Sequence, residues 1–261
     1  MYGNKGQEAT RKRRKLYYRK DMKPYNTPNA GKKEEVKRMF DNIAPTYDRL
    51  NHILSLSIDR VWRRRVMRIV RRAHPRQILD LATGTGDLAI LMAKRIPQAQ
   101  VMGVDLSEKM LAEASEKVRR QGLDDHVVLY QGDAERLDLG DGAVDVVTVA
   151  FGVRNFGNME AGLSEALRVL RGGGRLVVLE FSTPRNRFVR WAYSLYSDKI
   201  LRPLGGMVSH DKQAYGYLPA SIEEFPSPER FLEIMRGVGF TDCRRRSLCL
   251  GIAQIYIGKK A

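Results

Sequence analysis

Between Gln77 and Phe181 short runs of Val, Ile and Leu alternate with segments of helical period, and that alternation restricts the fold more than any other feature. "QILDLA", "QVMGVD", "HVVLY", "VDVVTVA" and "RLVVLEF" read as strands, and residues 87–95, 108–121 and 159–171 read as helices. Strands apolar along their whole length and separated by helices belong to a parallel sheet covered on both faces. Two further strands, "RRRSLCLG" and "AQIYIGK", follow a helix that opens at Pro228 and lie close enough in sequence to pair as a hairpin. The expected fold is α/β, a doubly wound, mostly parallel seven-stranded sheet.

The flanks have a different character. Residues 1–32 are basic, polar and broken by Pro and Gly, so they are expected to form a largely disordered tail, with one domain over 33–261. Val36, Phe40 and Ile43 share one helical face, and Pro45 is expected to end that helix. Asp59 is placed to cap the next helix, where Trp62, Val66 and Ile69 make an apolar stripe with the arginines opposite. Strand–helix alternation stops after Pro184, which marks residues 181–227 as an insertion.

Composition narrows the class. No stretch approaches the ~20 apolar residues needed to span a bilayer, and the basic N-terminus has no apolar core behind it, unlike a secretory signal. Two cysteines, Cys243 and Cys249, make neither a disulfide framework nor a metal site, which fits a reducing, cytoplasmic interior. The net charge of +16 is local: residues 1–38 hold 13 Lys/Arg against 4 Asp/Glu, and residues 60–76 hold 8 Arg and no acid. The rest is near neutral, so no broad phosphate-tracking surface is expected and nucleic acid is not the expected partner.

"LATGTGD" joins the first strand to the next helix, where doubly wound folds bind nucleotide-like ligands. Gly84, Gly86 and Ala89 satisfy a dinucleotide fingerprint, and Asp105 ends the second strand where ribose hydroxyls would be bound. Asp87, however, stands at the helix N-terminus that a pyrophosphate would need. Asp80 and Asp87 suit a cation better, and S-adenosylmethionine carries a sulfonium and an ammonium but no phosphate. "GDAERL" after the third strand offers Asp133 and Ala134 to the adenine edge, and "GGGRLVVLE" supplies a glycine break before a central strand.

The order "LDLATGTGD", "VDLSEKML", "QGDAERL", "RVLRGGGRLVVLE" resembles the Rossmann-like class I methyltransferases over residues 77–180. "VKRMFDNIAPTYDRLNHILSLSIDRVWRR", "AFGVRNF", "VLEFSTP" and "YGYLPASIEEFP" resemble, more specifically, the quinone-biosynthesis C-methyltransferases, from about Lys32 to the C-terminus. That resemblance implies methylation of a polyprenyl hydroquinol ring: demethylmenaquinol to menaquinol, or the benzoquinol counterpart on the ubiquinone route. "MFDNIAPTYDRLNH" looks closer to menaquinone members. The resemblance places cofactor contacts on Thr85, Asp105, Asp133 and Ala134, beside Asp80, Gly84 and Gly86 from the loop reading. Some members carry a serine where this chain has Ala150.

Ring-carbon methylation needs a phenolic proton removed and a cation near the phenolate. Arg154 in "GVRN" polarises the acceptor, holds a water, or makes a salt bridge within the fold. Tyr47 in "APTYDRLN" is a lid hydroxyl or a core tyrosine. His210, the one histidine of the insertion, is an acid–base candidate or a surface residue. From Phe181 to Phe231 lie nine of the 21 aromatics, including Trp191, Tyr193, Tyr196, Tyr215 and Tyr217, an expected acceptor chamber or local core. A membrane-dissolved acceptor gives a role to Arg60, Arg63, Arg64, Arg65, Arg68, Arg71 and Arg72 beside Trp62, as an interfacial helix on anionic lipid. A solvated face is the alternative, and a homodimer is allowed. A nucleic-acid methyltransferase is the rival enzyme, but "AFGVRNF" stands where base-directed enzymes place Asn/Asp-Pro-Pro-aromatic. A basic nucleic-acid-binding module is the non-enzymatic rival.

Overall fold

The computed structural model describes residues 22–54, 57–184 and 212–261. Seven strands form one sheet: β1 (Gln77–Leu81), β2 (Gln100–Asp105), β3 (Val127–Gln131), β4 (Val144–Ala150), β5 (Leu170–Phe181), β6 (Thr241–Leu248) and β7 (Ala253–Lys259), in the order β3-β2-β1-β4-β5-β7-β6. The first five are parallel, and β7 runs antiparallel between β5 and β6. Ile78 to Leu81 are buried on both faces of β1, as a central parallel strand requires. Ile78 packs into one core layer, with Val101, Val146 and Ile255, and Leu79 and Leu81 into the other, with Leu163, Phe231 and Tyr256.

Among the described residues the helices are α1 (Lys32–Leu54), α2 (Ile58–Arg71), α3 (Asp87–Arg95), α4 (Glu108–Arg120), α5 (Met159–Val169), α6 (Lys212–Glu224) and α7 (Pro228–Val238). Local chemistry sets several starts. Ser107 accepts the Met110 amide, Asn158 that of Ala161, and Ser227 that of Arg230, each an N-cap serving an otherwise unpaired donor. Strand order reverses between β1 and β4, so the loops that follow β1, β2, β3 and β4 meet above that point.

Three expectations need correcting. Pro45 does not end its helix: α1 runs through it to Leu54. A mid-helix proline costs ~3 kcal/mol, and here the helix is tied down on both sides of it, by Asp41 to Ser107 and by Asp48 to Thr85. Asp59 is not a cap. It lies buried in the first turn of α2, paired with Arg63, while Ser57 precedes the helix in a left-handed backbone without a side-chain bond. Arg63 therefore leaves the arginine face and turns inward, although Trp62, Val66 and Ile69 do form the buried stripe.

The third correction concerns the tail. Residues 1–21 lie outside the described residues, but 22–31 are packed rather than disordered. Glu35 accepts the amides of Tyr25 (2.7 Å), Asn26 (2.9 Å) and Thr27 (2.5 Å), folding this stretch onto α1. Burial works against the charge on Glu35, yet the three amides outweigh it and hold the carboxyl below its ordinary value. Removing those acceptors in Glu35→Ala should cost about 1–3 kcal/mol in denaturant unfolding. An unchanged midpoint would show that the wrap contributes nothing.

Candidate active site

A cleft opens at the switch point. Its floor comes from the strand ends, through Ala82, Gly84, Asp105, Asp133, Ala134, Phe151 and Asn155, and its roof from α1, through Lys33, Val36, Lys37, Phe40 and Tyr47. The "TGTG" loop is shaped by left-handed backbone at Ala82 (φ 51°), Gly84 (φ 58°) and Gly86 (φ 78°). Nothing lies within 4 Å of where a Gly84 Cβ would stand, so the loop leaves open space on that side. At Gly152 the reverse holds: a Cβ would come 2.5 Å from that of Ala82, and glycine lets the β1 and β4 loops touch.

Asp105 joins two of the loops. Its Oδ2 accepts the Gly84 amide at 2.8 Å and its Oδ1 the Ser107 amide at 2.9 Å. Burial raises its carboxyl above the ordinary value, and those amides oppose the rise. The Leu106 amide also acts on this carboxylate, which still keeps acceptor capacity toward a hydroxyl donor. Asp133 accepts the Glu135 amide at 2.9 Å and the Lys33 ammonium at 2.6 Å, and Lys33 also reaches Glu135 at 2.7 Å.

Of the seven cofactor candidates, Gly84, Asp105, Asp133 and Ala134 line the cleft, whereas Asp80, Thr85 and Gly86 stand behind its wall. Asp80 is a brace, taking hydroxyls from Thr83 (2.8 Å) and Thr148, and burial pushes its carboxyl up to about 6. Thr85 donates to Asp48 at 2.5 Å, and Gly86 lets α3 pack closely on Ala114. Asp87 is not a bare carboxylate either: Lys117 sits at 2.6 Å and Arg63 at 3.8 Å. The acidic character of the cleft therefore comes from Asp105, Asp133 and Glu135, not from Asp80 and Asp87.

Arg154 occupies a 3-10 turn, Val153–Asn155, and is buried. Its Nη1 donates to the Phe151 carbonyl at 2.5 Å and to Glu180 Oε1 at 2.7 Å, so the salt bridge within the fold is real. Burial opposes its charge, but Glu180 prevails and holds the guanidinium more firmly protonated than usual. Tyr47 and Tyr217 lie within its electrostatic reach, and Tyr217 donates to Asn155 at 3.3 Å. Around this turn the rings of Phe151 and Phe181 stack at 4.6 Å, with Arg63 over the first and Arg154 over the second, each 5.6 Å from the ring centre. Tyr47 lines the cleft, edge-on to Phe40 at 5.9 Å. His210, Trp191, Tyr193 and Tyr196 lie outside the described residues.

Sequence reasoning overlooked the polar contacts of α1. Lys32 donates to the Arg154 carbonyl (3.1 Å) and the Phe156 carbonyl (2.9 Å), Lys33 reaches Asp133, Asp41 accepts from Ser107 at 2.6 Å, and Asp48 meets Thr85 and Lys117. One helix thus touches the loops after β1, β2, β3 and β4. Burial brings the Lys32 amine down to about 8 against the pull of Glu135 and Glu224. Glu180 was also overlooked, although an acid inside "RLVVLEF" is itself a signal, because acids are rarely buried without a partner.

Residues 29–260 match the model of the ubiE/COQ5 methyltransferase family. The chain belongs to it. Among the relatives of this ubiE/COQ5 protein, the demethylmenaquinone methyltransferase of Bacteroides fragilis is 43% identical over 94% of this chain and 99% of its own length. That of Thermus thermophilus is 46% identical over 85% of this chain and 100% of its own length. A SAM-dependent methyltransferase structure from Thermotoga maritima superposes with a TM-score of 0.58 at 19% identity, covering 86% of this chain and 99% of that one, and so matches the fold.

The buried Asp80 makes stability pH-dependent in a calculable direction. Its pKa is about 6 in the folded chain against an ordinary value of 3.8, so the contribution is full below 3.8 and is lost as pH rises through 6. The stability of the native chain relative to Asp80→Asn should therefore fall by on the order of 2–3 kcal/mol between pH 4 and pH 7. A difference that stays flat across that range would contradict the assignment.

Proposed function

We propose that this ubiE/COQ5 methyltransferase transfers a methyl group from S-adenosylmethionine to a ring carbon of demethylmenaquinol, giving menaquinol. The similarity to demethylmenaquinone methyltransferases over nearly their whole length carries this reading. A benzoquinol acceptor is the second reading, favoured by the 44% identity to a Geobacter sulfurreducens relative named for both ubiquinone and menaquinone biosynthesis.

The cleft suits the cofactor's chemistry. Asp105 retains acceptor capacity for a vicinal diol, the space beside Gly84 admits a ligand against the main chain, and Asp133 with Ala134 suits an amino-substituted ring. When bound, S-adenosylmethionine supplies an electrophilic methyl on a positively charged sulfur. The protein's part is alignment and exclusion of water, with α1 as the roof. Loss of the phenolic proton moves an electron pair onto the ring carbon. That carbon forms the new bond to the methyl as the sulfur–methyl bond breaks, and then loses its own proton to restore the aromatic ring.

Arg154 is held protonated, so it acts as the fixed cation beside the developing phenolate rather than as the base. Arg154 and Tyr47 hold the water that takes the proton. His210 and the insertion complete the acceptor side. Thr85, Asp80 and Gly86 act by holding the loop. No helix among the described residues is long and apolar enough to cross a membrane, and the protein meets its lipid-soluble acceptor at the inner face of the cytoplasmic membrane.

Two measurements test this reading. Disrupting the gene should make cells accumulate a quinone one methyl lighter than menaquinone, and an unaltered quinone profile would overturn the reading. Asp105→Asn removes a charged acceptor worth about 1.5–3 kcal/mol, so KM for S-adenosylmethionine should rise ~10- to 100-fold with little change for the acceptor. An unchanged cofactor KM would remove Asp105 from the site.

A further inference from the structure

The outer side of α2 carries Arg60, Arg64, Arg65, Arg68, Arg71 and Arg72, all exposed. The helix packs on the sheet layer that contains Trp62, Ile255 and Ile257. On edge strand β6, Arg244 pairs in register with Ile257 and Arg246 with Ile255, so both project from that same side of the sheet. Both are exposed. Among the described residues none of these eight arginines has a carboxylate partner, whereas Arg245, pointing to the other side, is bound by Glu229 at 2.9 Å.

Exposed aliphatic side chains lie at one end of this basic face. Ile58 is 38% exposed and Val61 43% exposed on α2, and Leu250 at the β6–β7 tip is 79% exposed. The tip is fixed to α2 because the Trp62 indole donates to Cys249 Sγ at 3.3 Å. It is also fixed to the end of β5, where Ser182 donates to the Gly251 carbonyl at 2.6 Å. Leu250 itself is held outward in a left-handed backbone (φ 55°).

We propose that this face docks on an anionic lipid bilayer, the arginines of α2 and β6 meeting the headgroups and Leu250, with Ile58 and Val61, entering the interface. Unpaired cations around aliphatic tips suit lipid: arginine gains from the anionic surface, and the aliphatic groups gain from leaving water. A nucleic acid would use the cations but leave Leu250 in water. The proposal rests on the reading that the acceptor is dissolved in a membrane. It adds which surface makes the contact, and it orients the molecule so that the chain leaving β5 at Pro184 starts beside the bilayer.

Sedimentation of the full chain with phosphatidylglycerol-containing and pure phosphatidylcholine vesicles tests the proposal. Salt-sensitive binding to the anionic vesicles alone is expected. Arg64→Glu with Arg68→Glu should weaken it about fivefold or more per cation, and Leu250→Ser roughly tenfold. Turnover of a demethylnaphthoquinol without a prenyl tail, measured in solution, should be unchanged in these variants while turnover of vesicle-borne acceptor falls. Equal vesicle binding by variants and wild type, soluble turnover falling in step with vesicle turnover, or tight RNA binding with none to vesicles would each overturn the proposal. Absent turnover of both the soluble and the vesicle-borne acceptor in the wild type, with vesicle binding intact, would instead defeat the methyltransferase reading.

Discussion

Everything at the cleft depends on one topological constraint. Five parallel strands deliver their carboxyl ends to one edge of the sheet, and the reversal of order between β1 and β4 parts the loops there. A parallel sheet buried on both faces has no freedom to move that opening, because a slip of one residue would turn Ile78 and Leu79 into the wrong layers. Asp105 then fastens the first loop to the second through the Gly84 and Ser107 amides. Gly152 lets the fourth loop close on Ala82.

Around this fixed floor the electrostatics are a matter of compensation. Asp87 and Asp59 are matched by Lys117 and Arg63, and Arg154 by Glu180, so local charge in the sequence does not translate into potential in the cleft. What faces the cleft is Asp105, Asp133 and Glu135, with Lys33 and Lys37 above them. Helix α1 adds the roof through contacts spread along its length, which is why it tolerates Pro45.

Much of the fold was legible because its signals are local. β2 and β4 span the residues that their Val-rich runs indicate, α3 spans 87–95, and the last two strands pair as expected from their spacing. The misjudged positions depend on side-chain partners that the residue pattern does not display, distant in sequence for Pro45 and one helical turn away for Asp59. Pro45 reads as a stop only while Ser107 and Thr85 are out of view, and Asp59 reads as a cap only until Arg63 is seen turned inward. In the site, Asp105, Asp133 and Gly84 were legible from strand-end position. Asp80 and Thr85 do not line the cleft, because a residue beside a glycine loop can point to the cleft or away from it. Lys32 was lost to a tail boundary drawn from composition, although "KKEEV" opens a helix, and Lys33 begins the domain without any local sign of its reach to Asp133.

The most direct test of the central claim is a single turnover experiment with purified protein, reduced demethylmenaquinone and S-adenosylmethionine carrying an isotopically labelled methyl group. Tandem mass spectrometry then locates the label in the product. The account predicts one labelled methyl on a ring carbon, with S-adenosylhomocysteine formed in equal amount. Label on oxygen, or no transfer from a cofactor that binds, would contradict it.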